Sequence, residues 1–451
     1  MTHGSFRLPR HLMINSVERV ALANWLLVWV GLANLGFIAL YPVGFPSRGL
    51  HIVVIGLLGI IVRGMPVNVQ AIAFVVGLAY AAVSVVSNLF NLPIYSLSQS
   101  VKFMDDLNLL NSREYMALGL GSLGLIVVAC LALRRPSNFT DWRATLLALC
   151  VVASAALADA YVANDLPGHY KRFPSEDAPF SSALTTSAFL PTEVGPPRHL
   201  LLVMVESLGL PTENAELQRL IFARYNDPAV RSRFDVSTGV TTYYGSTTAG
   251  EIRELCGRWG EYHDLVDRRD ANCVPARLAR QGFETSAYHS FAGEFFERNR
   301  WYRNIGFDNQ FFRSDLIKGG AKECGGVFEG ACDRDVPRQL AQRLKFADRP
   351  QFIYWLTVNT HLPVPERNNL GTEDCARISP KLAAEFPMIC RQVAIWDAID
   401  RAIAKEAIAA DFPPTDILIV GDHIPPYLHR KSRAQFAPDM VPWLLLKWRG
   451  V

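Results

Sequence analysis

This 451-residue sequence is expected to hold two folds in series. An all-α transmembrane bundle of about five helices comes first, followed by an α/β domain built on a mostly parallel sheet. Three observations carry that expectation. Long apolar segments crowd the first third of the chain. Short apolar runs alternate with helical patterns in the rest. Three of those short runs deliver acid or imidazole side chains at or just beyond their C-terminal ends.

The bundle rests on five apolar segments, at 23–43, 51–62, 67–90, 116–133 and 142–162. Crossing the hydrocarbon takes about 20 predominantly apolar residues, and four of the five reach or approach that length. The second is short and is closed by Arg63 and Pro66, so it also reads as a re-entrant or interfacial piece. The first reads as a span rather than a cleaved signal peptide, being long and without a clear small-residue cleavage site behind it.

Lys and Arg in the short loops set the orientation. Arg7, Arg10 and Arg19 lie before the first span, Arg63 after the second, and Arg134, Arg135 and Arg143 after the fourth. The intervening loops carry Arg48, then Lys102 and Arg113. Five spans with the N-terminus inside place everything after Val162 outside the cytoplasm. Six of the eight cysteines (Cys256, Cys273, Cys324, Cys332, Cys375 and Cys390) fall in that exported part, where an even set implies disulfides. Cys324 and Cys332 are close enough to close one small loop; the other pairings are not readable. The net charge of +3, with no basic tract, gives no footprint for nucleic acid.

The expected organisation is a transmembrane domain over 1–163, a linker over 164–198 rich in Pro, Ser and Thr, and a catalytic domain over 199–451. Residues 96–114 interleave leucines with charges and fit either an amphipathic helix on the outer interface or an ordinary loop. In the last domain, His199-Leu-Leu-Leu-Val-Met-Val-Glu206 reads as a buried parallel strand with a carboxylate at its end. The runs at 351–359 and 416–423 repeat the pattern and lead to Thr360-His361 and Asp422-His423. Helical patterns at 336–346 and 391–409 separate them. Ligands of open α/β sheets bind beyond the carboxyl ends of the strands, which is where these residues gather.

Glu206, Asp422 and His423 form a hard oxygen and imidazole set suited to one divalent cation, Zn2+ or Mn2+, with Mg2+ an alternative. The stretch Gly245-Ser-Thr-Thr-Ala-Gly-Glu251 is a small-residue turn that opens a helix. A hydroxyl there faces backbone N–H groups that favour an anion, and a neighbouring cation would activate it. Taken locally, the same turn reads more readily as an N-cap Thr with Glu251 completing a capping box than as a nucleophile.

The order Glu206, Thr247, Asp422-His423 resembles the alkaline-phosphatase superfamily. Within it, the chain resembles the membrane-anchored sulfatase-like transferases: lipoteichoic acid synthases, osmoregulated-glucan phosphoglycerol transferases and phosphoethanolamine transferases. Five spans before an exported catalytic domain is their usual layout, which implies a multi-pass bacterial inner-membrane protein with a periplasmic domain. The resemblance implies that Glu206, Thr247, Asp422 and His423 bind the metal and that Thr247 is the nucleophile. It gives substrate-binding places to Glu251, His289, Phe296, Arg298 and His361. Arg298 would clamp phosphate and His361, in Thr360-His361-Leu-Pro363, would meet the substrate's phosphate or glycerol end. Phe296 stands where lipoteichoic acid synthases carry Trp.

The implied reaction moves phosphoglycerol or phosphoethanolamine from a phospholipid donor at the membrane to a glycan acceptor through a phospho-threonine. Glu206-Ser207 and Glu251 favour the glycerol branch, whereas several disulfides favour the ethanolamine branch. The alternatives are a phosphodiesterase or sulfatase-type hydrolase and a non-catalytic membrane scaffold. The Thr247 turn lacks the Cys/Ser-x-Pro-x-Arg motif of sulfatases, and the intact acid, Thr and Asp-His positions oppose a scaffold.

Overall fold

The computed structural model describes residues 14–38, 47–89, 113–164, 177–191, 198–427 and 429–450, together with 94, 110 and 174. They fall into two compact units, one within 1–86 and 114–166, the other within 87–113 and 167–451. Most of the 96–114 stretch lies outside the described residues.

In the first unit, four helices among the described residues are long and apolar enough to cross a membrane: Ser16–Ile38, Val67–Ser87, Tyr115–Ala132 and Trp142–Val162. The fifth apolar segment forms the shorter helix Gly49–Val62. Small residues let that helix pack closely. A side chain at Gly56 would strike Val152, and one at Gly59 would strike the Trp29 ring. The buried carboxylate of Asp159 accepts from Arg48 N (2.5 Å) and Ser47 Oγ (3.0 Å) at the start of the same helix, satisfying donors that have no partner within it.

The second unit is built on a seven-stranded sheet with order β2-β9-β8-β1-β7-β3-β4. Its strands are β1 His199–Val205, β2 Phe234–Thr242, β3 Glu284–His289, β4 Asn309–Phe311, β7 Gln351–Leu356, β8 Thr415–Gly421 and β9 Met440–Trp448. A two-stranded hairpin, β5 Glu323–Cys324 and β6 Gly330–Ala331, stands apart. The β8-β1-β7-β3-β4 block is parallel throughout, whereas β9 runs antiparallel to both of its neighbours. β1, β7 and β8 are buried along nearly their whole length, which explains why they read as continuous apolar runs.

Helices cover both faces. The expected helix at 391–409 is Pro387–Ala407, and the one at 336–346 is Val336–Lys345. They pack on one face with Val203, Trp355 and Ile419. The helix Thr247–Cys256 belongs to the other face, with Leu202, Tyr354 and Val420. Three disulfides close the unit, pairing Cys256 with Cys273, Cys324 with Cys332 and Cys375 with Cys390.

Part of the stretch read as linker is packed into this unit. Ser182 caps the short helix Ala183–Thr186 in a capping box, and Ala183, Leu184 and Phe189 are buried in the core behind β1. Its Pro, Ser and Thr content concealed a docked element.

Candidate active site

Parallel strands bring their C-terminal ends to one edge, where three adjacent strands supply two acids and two imidazoles. β1 leads into Glu206, and β8 into Asp422 and His423. β7, on the other side of β1, leads through Thr357 to Thr360 and His361. Thr357 Oγ1 accepts from Glu206 N (2.9 Å), and Thr360 Oγ1 donates to Glu206 O (2.6 Å).

Glu206, Asp422 and His423 are all buried, and their ligand atoms lie within 4.8 Å of one another. Thr247 joins them from the first position of its helix. Its Oγ1 donates to Glu206 Oε2 (3.0 Å) and lies 3.2 Å from His423 Nε2. His423 Nδ1 donates to Ile424 O (2.8 Å), which fixes the tautomer so that Nε2 presents a lone pair to the cluster. Asp422 Oδ1 accepts from the backbone N–H groups of Ser207 (2.7 Å) and His423 (2.6 Å). Asp422 Oδ2 is buried without a hydrogen-bond partner. An orphaned carboxylate oxygen in this position is costly unless a cation faces it.

The electrostatics agree. Burial pushes the Asp422 carboxyl up, and the charge of Glu206 pushes it further. His423 is raised against its own burial by the Asp422 and Glu206 carboxylates. Burial alone would raise Glu206. Its bond with His423, the His361 and His423 charges and the Ser207 hydroxyl outweigh that and hold it well below the usual carboxylate range. With His423 Nε2 3.5 Å from Glu206 Oε1 and 3.4 Å from Asp422 Oδ2, one imidazole faces two carboxylates, and one divalent cation in its proton's place fits the donor set. A second grouping, Cys256, Asp270 and Cys273, is no such site because its sulfurs form a disulfide.

Ser207 was quoted from sequence only as a neighbour. It is fully buried in the left-handed region (φ 54°), where a non-glycine residue costs on the order of 1–2 kcal/mol. Its Oγ donates to Glu206 Oε1 (2.9 Å) while its N–H holds Asp422, so one strained residue orients ligands from two strands.

The capping-box reading of the Thr247 turn does not hold. Ser246 is the N-cap, without a side-chain bond, and the Glu251 carboxylate points elsewhere. It accepts from Arg298 Nε (3.0 Å) and Nη2 (2.8 Å), Tyr302 OH (2.5 Å) and Tyr354 OH (3.1 Å). Glu251 and Arg298 are 0% and 2% exposed, a buried ion pair rather than two open contacts. Arg298 Nη1 also donates to Phe295 O (3.1 Å), and its guanidinium lies over the Phe296 ring at 5.4 Å. Phe296 and Glu297 both adopt positive φ (56° and 54°), a strained turn that delivers Arg298.

His289 ends β3, buried, with Nδ1 donating to Leu356 O (3.2 Å). Burial first and Arg298 second hold it well below the usual imidazole range. His361 Nδ1 donates to Leu362 O (2.8 Å), and its ring packs against Phe328 at 4.0 Å between centroids. Burial lowers its pKa, which the Glu206 carboxylate partly offsets, and the Thr360 bond to Glu206 O ties its loop to the cluster. Sequence reading missed Asp333, which holds the loop before His361 by accepting from Val358 N and Asn359 N.

The family model for sulfatases matches residues 198–435, more than half of the chain. No curated protein matches it. Among solved structures, a lipoteichoic acid synthase from Listeria monocytogenes is 16% identical over 56% of this chain and 66% of its own, with a TM-score of 0.41. A phosphoglycerol transferase from Streptococcus pyogenes, in complex with sn-glycerol-1-phosphate, is 15% identical over 55% of this chain and 68% of its own, with a TM-score of 0.37. An integral membrane lipooligosaccharide phosphoethanolamine transferase from Neisseria meningitidis is 11% identical over 98% and 89% of the two chains, with a TM-score of 0.45. The chain thus spans just under two thirds of the Listeria protein's length.

Proposed function

The chain belongs to the sulfatase family, and from that premise we propose that it is a membrane-anchored, metal-dependent transferase. It would move a phosphoglycerol or phosphoethanolamine group from a phospholipid to a glycan outside the cytoplasm. The observation that carries this reading is Thr247 Oγ1 within hydrogen-bond reach of both Glu206 and His423. A sulfate-ester hydrolase would instead place a modified Cys or Ser there, and the turn reads Gly245-Ser-Thr-Thr-Ala-Gly-Glu251.

Glu206, Asp422, His423 and Thr247 would hold one divalent cation, Zn2+ or Mn2+, which would supply charge stabilisation and activation of the hydroxyl. Thr247 Oγ1 attacks the donor phosphorus as the bond to the diacylglycerol oxygen breaks, the hydroxyl proton ending on that departing oxygen and the phosphoryl-linked head group on Thr247. An acceptor hydroxyl then attacks the same phosphorus and the bond to Oγ1 breaks. His361, with Nδ1–H committed to Leu362 O, offers Nε2 as an acceptor, and burial keeps the ring neutral by lowering its pKa. It is suited to take the proton from the incoming hydroxyl. Arg298, held by Glu251 and Phe295 O, would bring its guanidinium charge to bear on a phosphate oxygen.

The three disulfides support an exported catalytic domain, and the four long apolar helices support its tether to a lipid donor. Intact-protein mass spectrometry after incubation with phosphatidylglycerol or phosphatidylethanolamine tests the reaction. A mass gain on Thr247, absent from Thr247→Ala, is expected, and its size names the head group. Head-group release without any trapped adduct or transfer would favour a hydrolase, and an adduct that survives Thr247→Ala would exclude Thr247 as the nucleophile.

A further inference from the structure

Arg253 and Glu254 are adjacent, lie on the Thr247 helix and are each 1% exposed. Neither faces the ligand cluster, yet together they bridge it to a distant segment. Arg253 Nη2 donates to Gly421 O (2.8 Å) and Nη1 to Asp422 O (3.1 Å). The guanidinium therefore grips the two carbonyls of the turn that carries Asp422 and His423. Its Nε donates to Glu254 Oε1 (2.7 Å). Glu254 spends its remaining capacity on the packed part of the expected linker, accepting from Ala183 N (3.1 Å) at Oε1 and Leu184 N (3.0 Å) at Oε2.

Resting on the metal reading above, we propose that Arg253 and Glu254 are positioning residues that couple the docking of Ser182–Leu184 to the geometry of the Asp422-His423 ligand turn. The physical basis is the shortage of alternatives. A buried guanidinium needs its carboxylate, and a buried carboxylate needs its donors. If the Ser182–Leu184 segment undocks, Glu254 loses two N–H donors and Arg253 loses its fixed partner. The fork that holds the turn then shifts. Little slack is available, since Gly250, one turn earlier on the same helix, lies so close that an added Cβ would sit 3.1 Å from Asp422 Cβ. By reciprocity, cation binding at the turn stabilises the docked segment. Residues 182–184 then belong functionally to the catalytic unit, although composition assigns them to a linker.

Ala183→Pro tests this at the far end of the relay. Ala183 is the first helical residue, where proline is well accommodated, and Ser182 before it is already extended (φ −140°, ψ 157°). The substitution removes one N–H from Glu254 and touches nothing at the turn. With detergent-purified full-length chain and Mn2+ or Zn2+ alone as the titrant, calorimetry well below the variant's thermal midpoint should show affinity weakened about 2- to 30-fold, alongside the modest fall in that midpoint that a lost buried donor causes. Arg253→Met should weaken it about 10- to 100-fold, and Arg253→Lys should fall between, restoring a charge but not the planar fork.

Hydrogen exchange gives a readout that a merely structural role would not move. Cation loading should slow exchange at the Leu184 amide in the parent chain, and not in Arg253→Met. Unaltered cation affinity in Ala183→Pro, or cation-linked protection of Leu184 that persists in Arg253→Met, would overturn the coupling. A parent chain that takes up neither cation would overturn the metal reading itself, and the coupling with it. If Arg253→Met does not fold, Ala183→Pro alone decides.

Discussion

Removing Arg298 separates its two possible roles. The family resemblance makes it a phosphate clamp, whereas the structure has it paired with Glu251 at 2.8 Å, both side chains out of water. In Arg298→Met the Glu251 carboxylate keeps the Tyr302 and Tyr354 hydroxyls but loses its counter-charge. Breaking a buried ion pair on one side costs about 3–5 kcal/mol. For a domain of this size each kcal/mol moves Tm by about 2–4 °C, so a fall of about 6–20 °C is expected by circular dichroism. Replacing both residues, as Glu251→Leu with Arg298→Met, removes the orphaned charge but leaves the Tyr302 and Tyr354 hydroxyls without their acceptor, so it should recover only part of that loss, a non-additivity a double-mutant cycle measures. A Tm unchanged within 2 °C in Arg298→Met, accompanied by a raised KM for lipid, would refute the reasoning and return Arg298 to the clamp role alone.

Two further outcomes are expected. Glu261, whose Oε2 accepts from Thr248 Oγ1 (2.8 Å), is raised from 4.5 to about 7, chiefly by burial. Its favourable share of stability is complete below pH 4.5 and is lost as pH rises through 7, so Glu261→Gln should stabilise the chain by up to about 3 kcal/mol at pH 8 and by nothing at pH 4, read from urea unfolding. Gly421→Ala would place a Cβ 2.1 Å from the Leu208 carbonyl oxygen; the end of β8 must move, at a cost of about 1–3 kcal/mol, and unaltered stability and cation affinity would contradict the packing described.

Much of the site was legible because acids ending continuous apolar runs stand out. Glu206 and the Asp422-His423 pair could be found by reading β1 and β8 as buried parallel strands. Thr247 was weaker evidence, since a hydroxyl in a small-residue turn is locally indistinguishable from a cap, and only its place in the order raised it. The packing reason for Gly421 lies outside any local pattern: it leaves the space in which β8 passes Leu208. β2 escaped notice because an edge strand with alternating exposed residues lacks the apolar run of its neighbours. Ser207, Arg253 and Glu254 escaped because their partners (Asp422, Gly421, Ala183) are remote in sequence, and no local pattern encodes a hydrogen bond between distant segments. Glu251 and Arg298 were singled out as separate substrate contacts, and a sequence cannot say that two such residues form a buried pair with each other.

The place of β8 has a consequence for biogenesis. β8 lies between β1 and β9 at the heart of the sheet and pairs along the whole length of β1, His199 with Thr415 through Val205 with Gly421. A chain that emerges N-terminus first displays β1 with one bare, fully apolar flank until almost all of the domain has followed it. Pairings of such long sequence separation form slowly and leave adhesive surface open in the meantime. Two residues of the candidate cluster, Asp422 and His423, arrive with that last central strand. On the proposed reading, completion of the candidate cluster is therefore a late event in folding, and a partly made chain is a client for holding factors.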